Sequence, residues 1–282
     1  QRVGLVGGQC GHDRFYSRGW SVDHQCQRVG DLRDRARATT GALKRDFGLL
    51  KALGEKQAVV VGHDWGAPVA WHAALLRPDL FRAVVGMSVP YAPPWRTDLI
   101  SALEKQGIRD FYIQYFQTPG VAEVEFERDV EASIRRIHYS ASGDATGPAS
   151  FGMLQPGAGY LGNTVDPEVL SDWMDAHDVA YYAGEFRRTG FRGGLNWYRC
   201  LRLNAGLLAP WYGAAIQQPS MFIPGARDAV LRFPASQSQI DRFPITLPGL
   251  RACHILDGAG HWIQRERAEQ VSRLVLGFLD SL

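Results

Sequence analysis

Paired cysteines, a strong charge of either sign and long apolar runs are all missing from this sequence, and each absence closes a route. The four cysteines stand at 10, 26, 200 and 253; none forms a C-x-x-C or a metal-ligand spacing, so neither a disulfide framework nor a zinc site is expected. Such usage fits a reducing, cytoplasmic setting. The net charge is +2 and the sequence pI about 8.4, too mild for partnership with nucleic acid or a membrane surface. No apolar stretch has the length of a membrane span, and no charged-then-apolar leader is visible. The histidines include no pair at metal-ligand spacing with a third donor, so neither metal nor cofactor is expected. The chain begins at Gln1 rather than Met, as a fragment or a processed form would.

What is present is organised around residues 58 to 88. A β-branched run, Ala58-Val59-Val60-Val61, ends in Gly62-His63-Asp64-Trp65-Gly66. A segment of helical spacing follows from Val69 to Leu76 and stops at Arg77-Pro78. This reads as strand, sharp turn and helix, followed by a second buried strand from Phe81 to Val89 that ends at Pro90. Two glycines flank Asp64 at the spacing of a nucleophile elbow, in which the central residue adopts a strained conformation. That central residue is usually serine. An aspartate here can instead displace a leaving group from a saturated carbon, leaving an alkyl ester that water must then cleave. The plainer reading of Asp64 is an N-cap for the helix that follows.

Gly62-His63-Asp64-Trp65-Gly66-Ala67-Pro68, with Trp71-His72 and Arg77-Pro78, resembles the nucleophile segment of the soluble epoxide hydrolases of the α/β-hydrolase fold. The resemblance runs from about Asp46 to the C-terminus. It implies a mostly parallel sheet with helices on both faces: residues 1–94 and 208–282 would form the core, and 95–207, entered at Pro93-Pro94, a helical lid. It also implies a small apolar epoxide and water as the reacting partners, and leaves a homodimer open. Within that lid, Asp110-Phe111-Tyr112-Ile113-Gln114-Tyr115 is similar to the family's first tyrosine segment, and Thr189-Gly190-Phe191-Arg192-Gly193-Gly194-Leu195-Asn196-Trp197-Tyr198-Arg199 to its second. The match assigns Tyr112 and Tyr198 as donors to the epoxide oxygen; Tyr115 is the alternative to Tyr112, and each could simply be a core aromatic.

Ester hydrolysis needs a base for water and an acid to orient it. Short strands at 220–223 and 252–256 run into Asp228 and His261, and the carboxyl ends of strands converge on the site in doubly wound sheets. Asp228 could otherwise serve an Asx-turn and His261 a surface loop. Asp257 is the rival acid, but it lies too near His261 in sequence. His63 is expected to pack under the elbow. The Trp65 backbone N–H is expected to contact the oxyanion. A haloalkane dehalogenase would share the aspartate, the histidine and a tryptophan after the nucleophile; the tyrosine pair argues against it.

Residues 1–45 depart from this pattern. They are rich in Arg, Gly, Gln, Asp and His, and the family's His-Gly-x-Pro turn, source of a second oxyanion donor, is not found in them. Two readings compete. Val3 to Val6 could pair with the nucleophile strand, with Gly7-Gly8 as the oxyanion turn. The preferred expectation is that the segment is not native-family sequence and is loosely ordered, which would impair turnover or leave an inactive α/β-hydrolase-like protein.

Overall fold

A strand that is β-branched on both of its faces is stable only when both faces are covered and both edges are paired. The computed structural model describes residues 3–7, 46–146, 152–233 and 235–282, and residues 58 to 63 meet that requirement there. Strands β1 (Val3–Gly7), β2 (Ala58–His63), β3 (Phe81–Met87), β4 (Ser220–Ile223) and β5 (Leu250–Cys253) form one sheet in that order. All neighbours run parallel. Every residue of β2 is buried, whereas β5 alternates between half-buried and exposed positions as an edge strand does.

The period-2 geometry of the strands divides the core in two. Ala58, Val60, Val84 and Phe222 pack with helix α1 (Gly66–Leu76), through Ala67, Ala70, Trp71 and Ala74. Val59, Val61, Val85, Met221 and Ile223 pack on the other side with Val271, Val275 and Phe278 of the closing helix Ala268–Asp280. A third apolar cluster belongs to the helical stretch between Leu99 and Leu207. In it lie α2 (Val130–Ala141), α3 (Ala176–Thr189) and α4 (Arg192–Arg199). It closes on Trp65, the residue that follows Asp64. No helix among the described residues is long and apolar enough to cross a membrane.

The preferred expectation for the N-terminus needs correction at one place. Val3–Gly7 is a strand, paired in register with β2 from Val3 opposite Val59 to Gly7 opposite His63. The physical reason is the one above: β2 needs a partner on that edge, and Val3-Gly4-Leu5-Val6 is the apolar run available to it upstream. Gly8 and the remainder to residue 45 lie outside the described residues. A smaller correction falls at the end of β3, which stops at Met87 rather than running to Val89. Residues 46–52 are helical and end at Gly54, as their spacing predicts.

Gly62 sits where β2 meets the first turn of α1, and a Cβ there would collide with the Gly66 carbonyl. Both atoms are backbone, so neither can move aside cheaply. Gly62→Ala is therefore expected to destabilise the fold by about 3 kcal/mol, at the upper end of overpacking costs, measured by chemical denaturation. Wild-type stability in that variant would contradict the close approach.

Candidate active site

The turn after β2 lifts Asp64 into the left-handed region, φ +50°, where a non-glycine residue is strained and needs its surroundings to hold it. Its side chain is mostly buried, and Oδ1 stands 3.4 Å from Nε2 of His261. Oδ2 is buried without a hydrogen-bond partner among the described residues. Burial pushes the Asp64 carboxyl pKa up, but the hydrogen bond and charge of His261, with His63 and the Trp65 backbone N–H, outweigh it and leave the group lowered. The N-terminus of α1 two residues on favours the anion further. The result is an ionised carboxylate with one oxygen uncommitted.

His261 reaches Asp64 from the loop after β5. Its Nδ1 lies 3.4 Å from each carboxylate oxygen of Asp228 and 3.0 Å from the Ser88 hydroxyl. Asp228 is fully buried behind it, and its Oδ1 accepts from the Val230 N–H at 2.9 Å. Burial opposes charge on the imidazole, yet Asp228 and then Asp64 raise its pKa to about 10. Burial likewise opposes charge on Asp228, and His261, Ser88 and the Val230 N–H more than compensate. The free site thus holds an imidazolium between two carboxylates.

Neighbouring histidines carry no such charge. His63 donates from Nε2 to the His261 carbonyl at 2.6 Å, and its Nδ1 accepts from the Gln264 amide at 3.2 Å. Burial, helped by repulsion from His261, takes its pKa down to about 4. It therefore does more than pack under the elbow: it holds the backbone of the histidine loop. His138, stacked between Tyr182 and Trp262 with ring centroids 5.2 and 4.5 Å away, is held near 4 by burial as well.

Tyr112 and Tyr198 face Asp64 across one cavity of about 110 Å³ that Asp64 and His261 also line. Their rings are 5.6 Å apart, centre to centre, and hydrogen-bonded to each other. Burial, with the charge of Asp64 among the lesser causes, raises both phenol pKa values. They remain protonated donors. Most of the other walls are apolar, including Phe126, Ile134, Ile137, Phe186, Phe191, Leu195 and Trp262. Tyr115 is turned elsewhere and donates to Glu125 at 2.8 Å. The Trp65 indole hydrogen-bonds Tyr198, and their rings meet edge-on at 5.1 Å.

Several groups around the site have no role assigned from the sequence. Tyr160 adds a third phenol to the cavity wall. Arg199 and Glu123 form a buried bidentate pair at 2.7 and 2.9 Å, and Arg199 also donates to the Phe116 carbonyl at 2.8 Å. Gln117 donates to the carbonyls of both Ile113 and Tyr198. These bonds fix the helix bearing Tyr198 against the one bearing Tyr112. Glu266 accepts from the backbone N–H groups of Gly143, Gly260 and Trp262, joining the end of α2 to the histidine loop. Such partners are distant in sequence, and no local pattern announces them. Among the described residues Asp175, His177 and Asp178 come within metal-ligating distance of one another. Asp175 and Asp178, however, already serve as reciprocal caps of α3, and Asp178 pairs with Arg265 at 2.7 Å.

The structure thus brings together an aspartate at an elbow, a His-Asp pair beside it and two phenols across the same cavity. The alpha/beta hydrolase fold family matches residues 39–268. Epoxide hydrolase A of Mycobacterium tuberculosis is 40% identical over 237 residues, covering 83% of this chain and 72% of that protein. An epoxide hydrolase from an endophytic Streptomyces superposes with a TM-score of 0.88 at 37% identity, over 99% of this chain and 88% of that one. Potato epoxide hydrolase I superposes at 0.84 and 28% identity, over 100% and 93%. The chain belongs to the α/β-hydrolase fold family, and within it to the epoxide hydrolases.

Removing one partner of a buried ion pair strands the other. Glu123→Ala is therefore expected to cost about 3–5 kcal/mol, read as a drop in the denaturation midpoint. A loss below about 1 kcal/mol, the level of an exposed pair, would show that Arg199 finds other compensation.

Proposed function

We propose that the chain opens small apolar epoxides to vicinal diols through an alkyl ester on Asp64. The reading is carried by one observation: Asp64, His261, Tyr112 and Tyr198 line a single, largely apolar cavity. Asp64 Oδ2, the oxygen without a hydrogen bond, attacks the less hindered ring carbon as the C–O bond breaks. Tyr112 and Tyr198 hold the departing oxygen, and one phenol gives it a proton. Esterification removes the negative charge of Asp64. His261 then faces Asp228 alone among carboxylates, so its pKa falls, and the proton that leaves Nε2 is returned to the phenolate.

Neutral Nε2 next takes a proton from water, whose oxygen attacks the carboxyl carbon of the ester. The Trp65 N–H stabilises the oxyanion. Collapse expels the diol oxygen, which takes the proton from Nε2; the carboxyl group left on Asp64 then gives its own proton to Nε2, restoring the carboxylate and the imidazolium. Of Gly7-Gly8, the pair expected to supply a second oxyanion donor, Gly7 ends β1 and Gly8 lies outside the described residues. The described helices between Leu99 and Leu207 act as the lid over the core that the five strands form. Every group named comes from one chain, so a homodimer is not needed for the chemistry. The same reading places the chain in a reducing, cytoplasmic setting. A dehalogenase reading would use the Trp65 indole as a halide donor, but that N–H is already directed to Tyr198.

His261→Gln is expected to form the ester and fail to cleave it. Intact-mass spectrometry after mixing with a styrene-oxide-like epoxide should find a stable adduct of substrate mass, with diol release slowed at least about a hundredfold, within the usual range for a lost general base. Wild-type diol release by this variant would refute the assignment. A second expectation concerns pH. His261 in the free enzyme should titrate near 10, and adduct hydrolysis in single turnovers should rise with pH through a lower pKa, because Asp64 is then neutral. Coincident values from NMR titration and single-turnover decay would contradict the charge switch.

A further inference from the structure

Among the described residues two non-glycine positions have a positive φ: Asp64 and Ser88, the latter at +69°. Ser88 directly follows β3. Around it the Val89 N–H donates to the Met87 carbonyl at 2.8 Å, closing a three-residue turn of the strained hand. Its own N–H donates to the Ile223 carbonyl at 3.1 Å, at the end of the strand that leads to Asp228. The residue is fully buried. A conformation this unfavourable for serine implies that the side chain is needed where it points.

It points between the acid and the base. The hydroxyl oxygen lies 3.0 Å from Nδ1 of His261, closer than either oxygen of Asp228 at 3.4 Å. The hydroxyl is also among the groups that hold the Asp228 carboxyl ionised, in the manner of a hydrogen-bond donor. A hydroxyl has one proton and two lone pairs. A carboxylate can only accept, so the hydroxyl proton goes to Asp228 and the oxygen is left to accept Nδ1–H.

We propose that Ser88 is a positioning residue for the histidine, the middle link of a chain that runs Nδ1–H to Ser88 Oγ and Ser88 O–H to Asp228. It holds the proton on Nδ1, so that Nε2 is the nitrogen that becomes basic once Asp64 is esterified. The function of the link falls in ester hydrolysis. Alkylation needs only the Asp64 carboxylate and the phenols, none of which Ser88 touches. The inference rests on the epoxide hydrolase reading for its kinetic test and stands apart from it in a spectroscopic one.

The experiment compares wild type with Ser88→Ala and Ser88→Gly, both smaller than serine and free to fit. Glycine also removes the strain at φ +69°, separating that contribution from the hydroxyl's. In single turnovers with a styrene-oxide-like epoxide, both variants should form the Asp64 adduct at a rate within about threefold of wild type. Both should hydrolyse it about tenfold to a hundredfold more slowly, the size expected for one hydrogen bond to a charged group. In substrate-free enzyme the Nδ1–H proton signal of His261 should be seen in wild type and lost to solvent exchange in both variants. Wild-type hydrolysis in Ser88→Ala, recovery of the rate in Ser88→Gly, or a retained Nδ1–H signal would each overturn the proposal. If wild-type enzyme gives neither adduct nor diol, the functional reading fails, and the Nδ1–H comparison still decides the role of Ser88.

Discussion

The electrostatic constraint on which the site depends is an imidazolium held between two buried carboxylates. Burying Asp64, Asp228 and His261 separately would cost each its charge. Buried together, at 3.4 Å on either side of the ring, they keep Asp64 ionised and hence nucleophilic. The arrangement is also unstable to chemistry in a useful way. In the proposed mechanism, turning one carboxylate into an ester removes half of what holds the proton on the histidine, so the first step prepares the base for the second.

The fold supplies these groups from strand ends. Asp64 follows β2, Ser88 follows β3, Asp228 follows β4 and His261 follows β5. Adjacent parallel strands thus bring together, at their carboxyl ends, residues up to 197 positions apart, from 64 to 261. The helical stretch adds the phenols, and the Arg199–Glu123 pair and Gln117 hold the two tyrosine helices to each other. Glu266 ties the exit of α2 to the loop that carries His261. Movement of the helical layer would therefore be felt at His261.

Much of this was legible in the sequence because the signals are local. Gly62-His63-Asp64-Trp65-Gly66 is a contiguous turn, the β-branched run before it is a buried strand, and the loops to Asp228 and His261 directly follow short apolar runs. The partner strand at Val3–Gly7 was open to the wrong reading: five residues beside an atypical stretch give little periodicity, and only the unmet edge of β2 argues for them. Ser88 escaped notice because nothing in Met87-Ser88-Val89-Pro90 marks a left-handed serine. Glu123 and Arg199 stand 76 positions apart, and nothing in either local stretch links them. Long-range pairing of that kind exists only after folding.

Whether the oxygen added to substrate comes from Asp64 or directly from water tests the covalent account most directly. With enzyme in excess over a styrene-oxide-like epoxide in oxygen-18 water, the first turnover should place the heavy isotope in the Asp64 carboxyl and leave the diol unlabelled. Label in the diol at the first turnover, with none in the peptide that contains Asp64, would mean that water opens the ring itself, and the ester would have no part in the reaction.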